Sequence, residues 1–93
     1  MIINFKSDEA EIIFNGGRSR KLPPDIQSVA FRKLRFIHAA GSLDDLRVPP
    51  GNRLEALQDD RNGQHSIRVN DQRRVCFVWD NGEARDVEIV DYH

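Results

Sequence analysis

Apolar residues recur at three- and four-residue spacing in the first half of the chain and at alternate positions in the second half. Ile26, Val29, Ala30, Leu34, Ile37 and Ala40 form one buried stripe of a long helix. Asp25 is placed to open it after Pro23-Pro24, Gly41 ends it, and Arg32, Lys33 and Arg35 fall mostly off the stripe. Before it, Ile2–Phe5 reads as a short strand. Ser7 is a suitable N-cap for a short helix that runs to Phe14 and stops at Asn15-Gly16-Gly17. Ser42-Leu-Asp-Asp45 is a capping-box-like start for one more helical turn. Pro49–Asn52 is a loop, Leu54–Leu57 a short strand, and Asp59–Gly63 a turn cluster. His65–Val69, Val75–Trp79 and Asp86–Val90 are rich in β-branched and aromatic residues and predict three further strands. The order predicts one α+β domain over residues 1–93, its N-terminal strand and helices packed on one face of a mainly antiparallel sheet.

Strand parity extends this picture. Ile67 and Val69 share one face of their strand, and Val75, Phe77 and Trp79 share one face of the next. Both sets reach the core only if paired residue numbers have an even sum. Pairing Arg68 with Arg74, or Asn70 with Arg74 across a three-residue loop, satisfies this. Either choice puts Arg68, Asn70 and Arg74 on the exposed face opposite the core. In the last hairpin a plain two-residue turn at Asn81-Gly82 would set Val87 and Ile89 opposite the wrong residues, so a longer loop or a bulge is predicted. With that correction Val90 and Tyr92 join the arginine face. Like charges so close on a sheet disfavour folding, and a bound phosphate would relieve the repulsion. Solvent-facing arginines paired with Asp86 or Glu88 are the competing reading.

Composition narrows the class. Fourteen Lys and Arg against fifteen Asp and Glu give a net charge of −1, which argues weakly against a general nucleic-acid binder. The charge is uneven, however: basic groups gather at 18–21, at 32–35 and through the middle, and the stretch from Asp80 to Asp91 is acidic. The single cysteine, Cys76, excludes an internal disulfide. The opening apolar run is too short for a signal peptide and no stretch has the length of a membrane span, which predicts a cytoplasmic protein. No Cys or His pair has metal-ligand spacing. His38 reads as structural or exposed, His65 starts a strand that could face a cleft, and Cys76 is predicted to be inert.

Three strings point to a family. Pro49-Pro-Gly-Asn-Arg-Leu-Glu-Ala-Leu57, then Arg61-Asn-Gly-Gln-His-Ser-Ile-Arg-Val-Asn-Asp-Gln72 with Arg74-Val-Cys-Phe77, and the terminal Val87-Glu-Ile-Val-Asp-Tyr-His93 resemble toxins of the HigB branch of the RelE/ParE superfamily. The resemblance runs from Ile2 to His93. It implies a compact RelE-like ribonuclease fold and cleavage of messenger RNA, usually on the translating 70S ribosome. It implies no metal and no cofactor. It also implies a helix-turn-helix, HigA-like antitoxin encoded next door, with operator DNA bound only through the antitoxin complex.

RNA can be cut by its own 2′-hydroxyl, which needs a base, an acid for the leaving oxygen, and cations for the charge that accumulates between. The planar fork of arginine suits the last role. Arg68 and Arg74 are the leading phosphate binders. Asp91, Tyr92 and His93 are candidates for proton transfer, orientation or base stacking. Arg61, Asn70, Arg73 and Gln58 are candidates for RNA or phosphate contact. Two positions depart from the family pattern. The resemblance leads us to expect a lysine where Gln58 stands, in a Leu-Lys-Gly-Asp string, and an aromatic residue where Arg73 precedes Arg74. Both predict a weak toxin, or one in which Arg73 replaces the missing charge. A gyrase-binding growth inhibitor of the ParE kind and an inactive toxin kept as an antitoxin-binding corepressor are the alternatives.

Overall fold

The computed structural model describes residues 1–91, so Tyr92 and His93 lie outside the described residues. The first helix, α1 (Asp8–Phe14), starts where Ser7 Oγ accepts the amide of Ala10 at 3.3 Å. Three acidic residues in its first turn suit the positive end of the helix dipole. It ends in a Schellman motif: Gly17 N–H donates to Ile12 O and Gly16 N–H to Ile13 O, with Gly16 at φ +86°. Gly17 is needed as well, because a Cβ there would meet Ile12 Cγ2 at 2.9 Å.

The long helix α2 (Pro24–Ala39) begins with Pro24 at its first position, one residue ahead of the predicted Asp25, and closes on Ala40 before Gly41. Gln27 fastens the preceding linker, exchanging hydrogen bonds with Ser19 N and O and donating to Leu22 O. Its buried residues are Ile26, Ala30, Lys33, Leu34 and Ile37. Lys33 therefore lies on the stripe, not off it. Its offsets of seven from Ile26 and three from Ala30 bring it to the same face. Arg32 and Arg35 are exposed as expected.

Ser42 and Asp45 make the predicted capping box, at the head of a 3₁₀ turn over Leu43–Arg47. A second such turn spans Pro50–Asn52 and a third Asp59–Arg61. Four strands follow: β1 (Glu55–Ala56), β2 (Gln64–Arg68), β3 (Arg73–Asp80) and β4 (Glu83–Asp91). They form one antiparallel sheet in sequence order. Both helices pack on the same side of it, against a core that includes Leu34, Ile37, Ile67, Val75, Phe77 and Val87. Trp79 packs against that core as the partly buried edge-on neighbour of Phe77.

The N-terminal strand is reduced to two isolated parallel bridges, Ile2 to Ala84 and Phe5 to Val87. It is nonetheless well tied, with Ile3 N donating to Ala84 O and Lys6 N to Val87 O, both at 2.8 Å. Ile2 N donates to His38 Nδ1 at 3.1 Å, so His38 on α2 has a structural task.

Register bears out the parity argument. Arg68 pairs with Arg74 and Ile67 with Val75. The last hairpin keeps the plain two-residue turn, pairing Asp80 with Glu83, and the required extra residue appears deeper in β4. Val78 pairs with Arg85, but Cys76 pairs with Glu88, so Asp86 and Val87 together oppose Phe77. Asp86 takes the left-handed conformation, φ +52°, that such a bulge normally gives to glycine. Asn4 holds it there: Asn4 Oδ1 accepts Asp86 N at 3.1 Å, and Asn4 Nδ2 donates to Asp86 Oδ1 at 2.8 Å.

This bulge generates a test. Asp86→Val puts a β-branched residue at positive φ and removes the bond to Asn4, and should cost about 1–3 kcal/mol in urea denaturation. Asp86→Gly relieves the backbone while losing one side-chain bond, and should stay within about 1 kcal/mol of the parent.

Candidate functional site

Even-numbered residues of β2 and β3 face away from the helices, and the site grows from them. Ser66, Arg68, Arg74 and Cys76 share this outer face, with Val90 of β4 paired to Arg74. The face is more enclosed than expected. Arg74 is only 7% exposed, and Ser66 and Cys76 are fully buried. The exposed location predicted for Arg74 is thus corrected, because the chain from Arg53 onward folds over it.

Arg74 is gripped from two sides. Its Nε donates to Ser66 Oγ at 2.7 Å, and Nη2 donates to Arg53 O at 2.5 Å and more weakly to Ser66 O at 3.4 Å. Glu55 of β1 stands 3.8 Å from Nη2. A guanidinium taken out of water requires such partners, since leaving them out costs several kcal/mol. Arg53 offers its carbonyl because it takes the left-handed conformation, φ 46° and ψ 58°, at the end of the Pro50–Asn52 turn.

Arg68 lies across the strand pair from Arg74, and its Nη2 donates to Asp71 in the β2–β3 loop. Arg61, on the third 3₁₀ turn, reaches the same face. Its Nη1 donates to Gln64 Oε1 at 3.1 Å and to Glu88 Oε2 at 3.0 Å, and Lys6 approaches the same Glu88 oxygen at 3.7 Å. The partner acids are therefore Asp71, Glu55 and Glu88. Asp86 instead serves Asn4.

Other predicted residues are placed differently. Asn70 turns its Oδ1 back onto the amides of Gln72 and Arg73, at 2.9 and 2.8 Å, and shapes the loop. Arg73 pairs with Asp91 at the far end of the sheet. By alternation both belong to the helix-side face, so Asp91 does not share a face with Arg74. Gln58 is exposed and precedes the Asp59–Arg61 turn without capping it. Tyr92 and His93 fall outside the described residues. His65 lies on the core side beside Phe77, ring centroids 6.4 Å apart, and its buried Nδ1 has no hydrogen-bond partner among the described residues. Burial pushes the Cys76 thiol above its ordinary range, with Arg61 and Arg74 opposing and Glu88 reinforcing the rise. That environment disfavours the reactive thiolate.

Reasoning from the sequence missed Ser66, the Arg53 carbonyl, and the buried pair Lys33 and Asn52. Lys33 Nζ donates to Asn52 Oδ1 at 2.6 Å, and both side chains are buried. The period of α2 carried the signal for Lys33; the other three depend on a loop conformation that no spacing announces. A cavity of about 460 Å³ lies between the helices, lined by residues such as Ile13, Gly17, Gln27 and Phe31, and contains none of the predicted site residues. Among the described residues no three His, Cys, Asp or Glu side chains gather in a way that could hold a metal ion. No helix there is long and apolar enough to cross a membrane.

The outer face therefore sets two arginines opposite each other on paired strands, Arg74 buried and Arg68 half-buried, each held by hydrogen bonds. Comparison with known proteins gives the family. Residues 3–93 match the family described as RelE-like toxin of type II toxin-antitoxin system HigB. Toxin HigB-1 of Vibrio cholerae is 42% identical over 85 residues, covering 90% of each chain. An uncharacterized protein of Haemophilus influenzae is 39% identical over 72 residues, 77% of this chain and 71% of its own. The Endoribonuclease HigB of Proteus vulgaris is 29% identical over 93 residues, the full length of both.

Ser66 gives the sharpest test of the site's construction. Ser66→Ala leaves the Arg74 Nε without its hydroxyl acceptor in a buried setting, and should cost about 1–3 kcal/mol in chemical denaturation. A loss below 0.5 kcal/mol, as an order of magnitude, would show that this bond does not hold the arginine.

Proposed function

The chain belongs to the family of RelE-like HigB toxins of type II toxin–antitoxin systems, and on that footing we propose that it is a metal-independent endoribonuclease cutting messenger RNA on the translating ribosome. Membership makes an antitoxin its partner. A helix-turn-helix protein of the HigA kind, encoded beside it and carrying the operator contact, is the form we propose for that partner. The toxin acts in the cytoplasm.

The Arg68–Arg74 pair carries the reading. The two guanidinium-bearing residues face each other across β2 and β3, and Arg74 is fixed in orientation by Ser66 and Arg53. In the proposed reaction the 2′-oxygen forms a bond to the adjacent phosphorus and the bond from phosphorus to the 5′-oxygen breaks. The products are a 2′,3′-cyclic phosphate and a 5′-hydroxyl. A base removes the 2′ proton and an acid delivers one to the leaving oxygen; Tyr92 and His93 are our candidates for these steps, with Asp91, on the helix-side face, in an orienting role. Arg74 and Arg68 hold the charge that builds on the phosphoryl oxygens, and Arg61 is a third cation within the same face. Gln58 and Asn70 complete the proposed RNA-contacting set, with Asn70 acting through the loop it shapes; Arg73, on the helix-side face, is left out of it.

A weakened toxin is the second reading, and specific observations favour it. Gln58 supplies no charge, and carboxylates already engage Arg61 and Arg68.

The decisive experiment is inducible expression with mapping of RNA 5′ ends. New 5′-hydroxyl ends inside coding regions are expected soon after induction. They should fall about 10²–10³-fold in Arg68→Ala, whose side chain is partly exposed. Growth arrest without new ends would overturn the ribonuclease reading. A second variant tests the departure from the family pattern. Gln58→Lys should deepen growth arrest at equal expression, and an unchanged growth curve would count against a role for that position.

A further inference from the structure

An ammonium group on the buried stripe of a helix is an expensive choice, and the structure shows what it holds. Lys33 is 7% exposed, and an apolar side chain there would serve helix packing better. Its Nζ is satisfied by Asn52 Oδ1 at 2.6 Å and lies 5.6 Å from the centre of the Phe36 ring. Asn52 is itself fully buried, and the other end of its amide donates to Leu46 O at 3.2 Å and Val48 O at 3.4 Å. The lysine thus clamps the loop that leads into Arg53.

Arg53 is the next residue. A non-glycine residue in the left-handed region persists only when its surroundings fix it. Here the fixing comes from Asn52 on one side and from the Arg53 N–H donating to Pro50 O at 3.1 Å. That conformation aims the Arg53 carbonyl at Arg74 Nη2. The sheet holds Arg74 at Nε through Ser66, and the loop holds it at Nη2. Two anchors on different elements define the plane of the guanidinium more tightly than the sheet contacts alone.

We propose that Lys33 and Asn52 are positioning residues that orient the Arg74 guanidinium through the Arg53 carbonyl. Neither residue needs to touch RNA. Burial, then Arg32 and Arg68, lower the Lys33 pKa from 10.5; all three oppose the ammonium, and the Asn52 oxygen that accepts from it offsets them. The geometric claim stands independently of the reaction; its effect on cleavage rests on the ribonuclease reading above.

The experiment has two arms. In ¹⁵N-labelled full-length protein the Arg74 Nε–Hε resonance, assigned by its loss in Arg74→Lys, reports the grip directly. Lys33→Met and Asn52→Ala should each speed its exchange with water by roughly tenfold or more. Unchanged Arg74 exchange in both folded variants overturns the proposal. If Lys33→Met does not fold, Lys33→Gln removes the charge and shortens the reach. It should give the same direction of change, and an unaltered resonance there is equally fatal. In the second arm, Lys33→Met should lower kcat about tenfold with little change in KM, and should have no further effect in an Arg74→Ala background. Independent, multiplying losses in the double variant would overturn action through Arg74. Absence of cleavage by the parent protein would sink the ribonuclease reading alone, because the exchange arm still decides the positioning claim.

Discussion

Strand pleating repeats every two residues, and the whole sheet depends on reconciling that period with a two-residue turn at Asn81-Gly82. Left uncorrected, the turn would send Val87 and Ile89 to the wrong side. Asp86 absorbs the mismatch by bulging. The bulge sets the face of everything beyond it, including Val90 beside Arg74 and Asp91 beside Arg73. It is stabilised from the opposite end of the chain by Asn4, so the N-terminal segment helps to determine the register of the C-terminal strand. Although Ile2–Phe5 makes only two bridges, it contributes to register as well as to edge coverage.

The same outer face carries the proposed chemistry. Arginine is usually pictured as a flexible cation waiting for phosphate, but Arg74 is a buried group with a defined plane. Such preorganisation is what electrostatic catalysis requires, because reorientation during reaction would consume the benefit. The buried serine, the left-handed Arg53 and the Lys33–Asn52 pair are then parts of one support, drawn from β2, the loop and α2.

Much of this was legible in the residues. The stripe of α2, the glycine stop of α1, the capping box at Ser42 and the shared face of Arg68 and Arg74 follow from local periods and turn chemistry, which act over a few positions; parity left open whether Arg68 or Asn70 pairs with Arg74. The need for a bulge was also legible, since parity demands it. Its location was not, because Asn4 lies far away in sequence. The burial of Arg74 was hidden for a similar reason: it depends on Arg53 adopting an unusual backbone conformation. Lys33 was misjudged because its charge outweighed its spacing, although the period had placed it inside. The resemblance of the sequence supplied the family, and the comparisons agree with it. They leave the individual roles of Arg68, Arg74 and Asp91 to the experiments.

Charge balance across the outer face has a consequence for how RNA reaches it. Lys6, Arg61, Arg68 and Arg74 are set among Glu55, Asp71 and Glu88, so their fields largely cancel a Debye length away. A free polyanion in solution would feel little pull toward this surface and would be captured slowly. Discrimination is therefore deferred to short range, where a phosphate must compete with carboxylates for the guanidinium groups. On the reading proposed above, such a surface acts best on a message already brought within that short range.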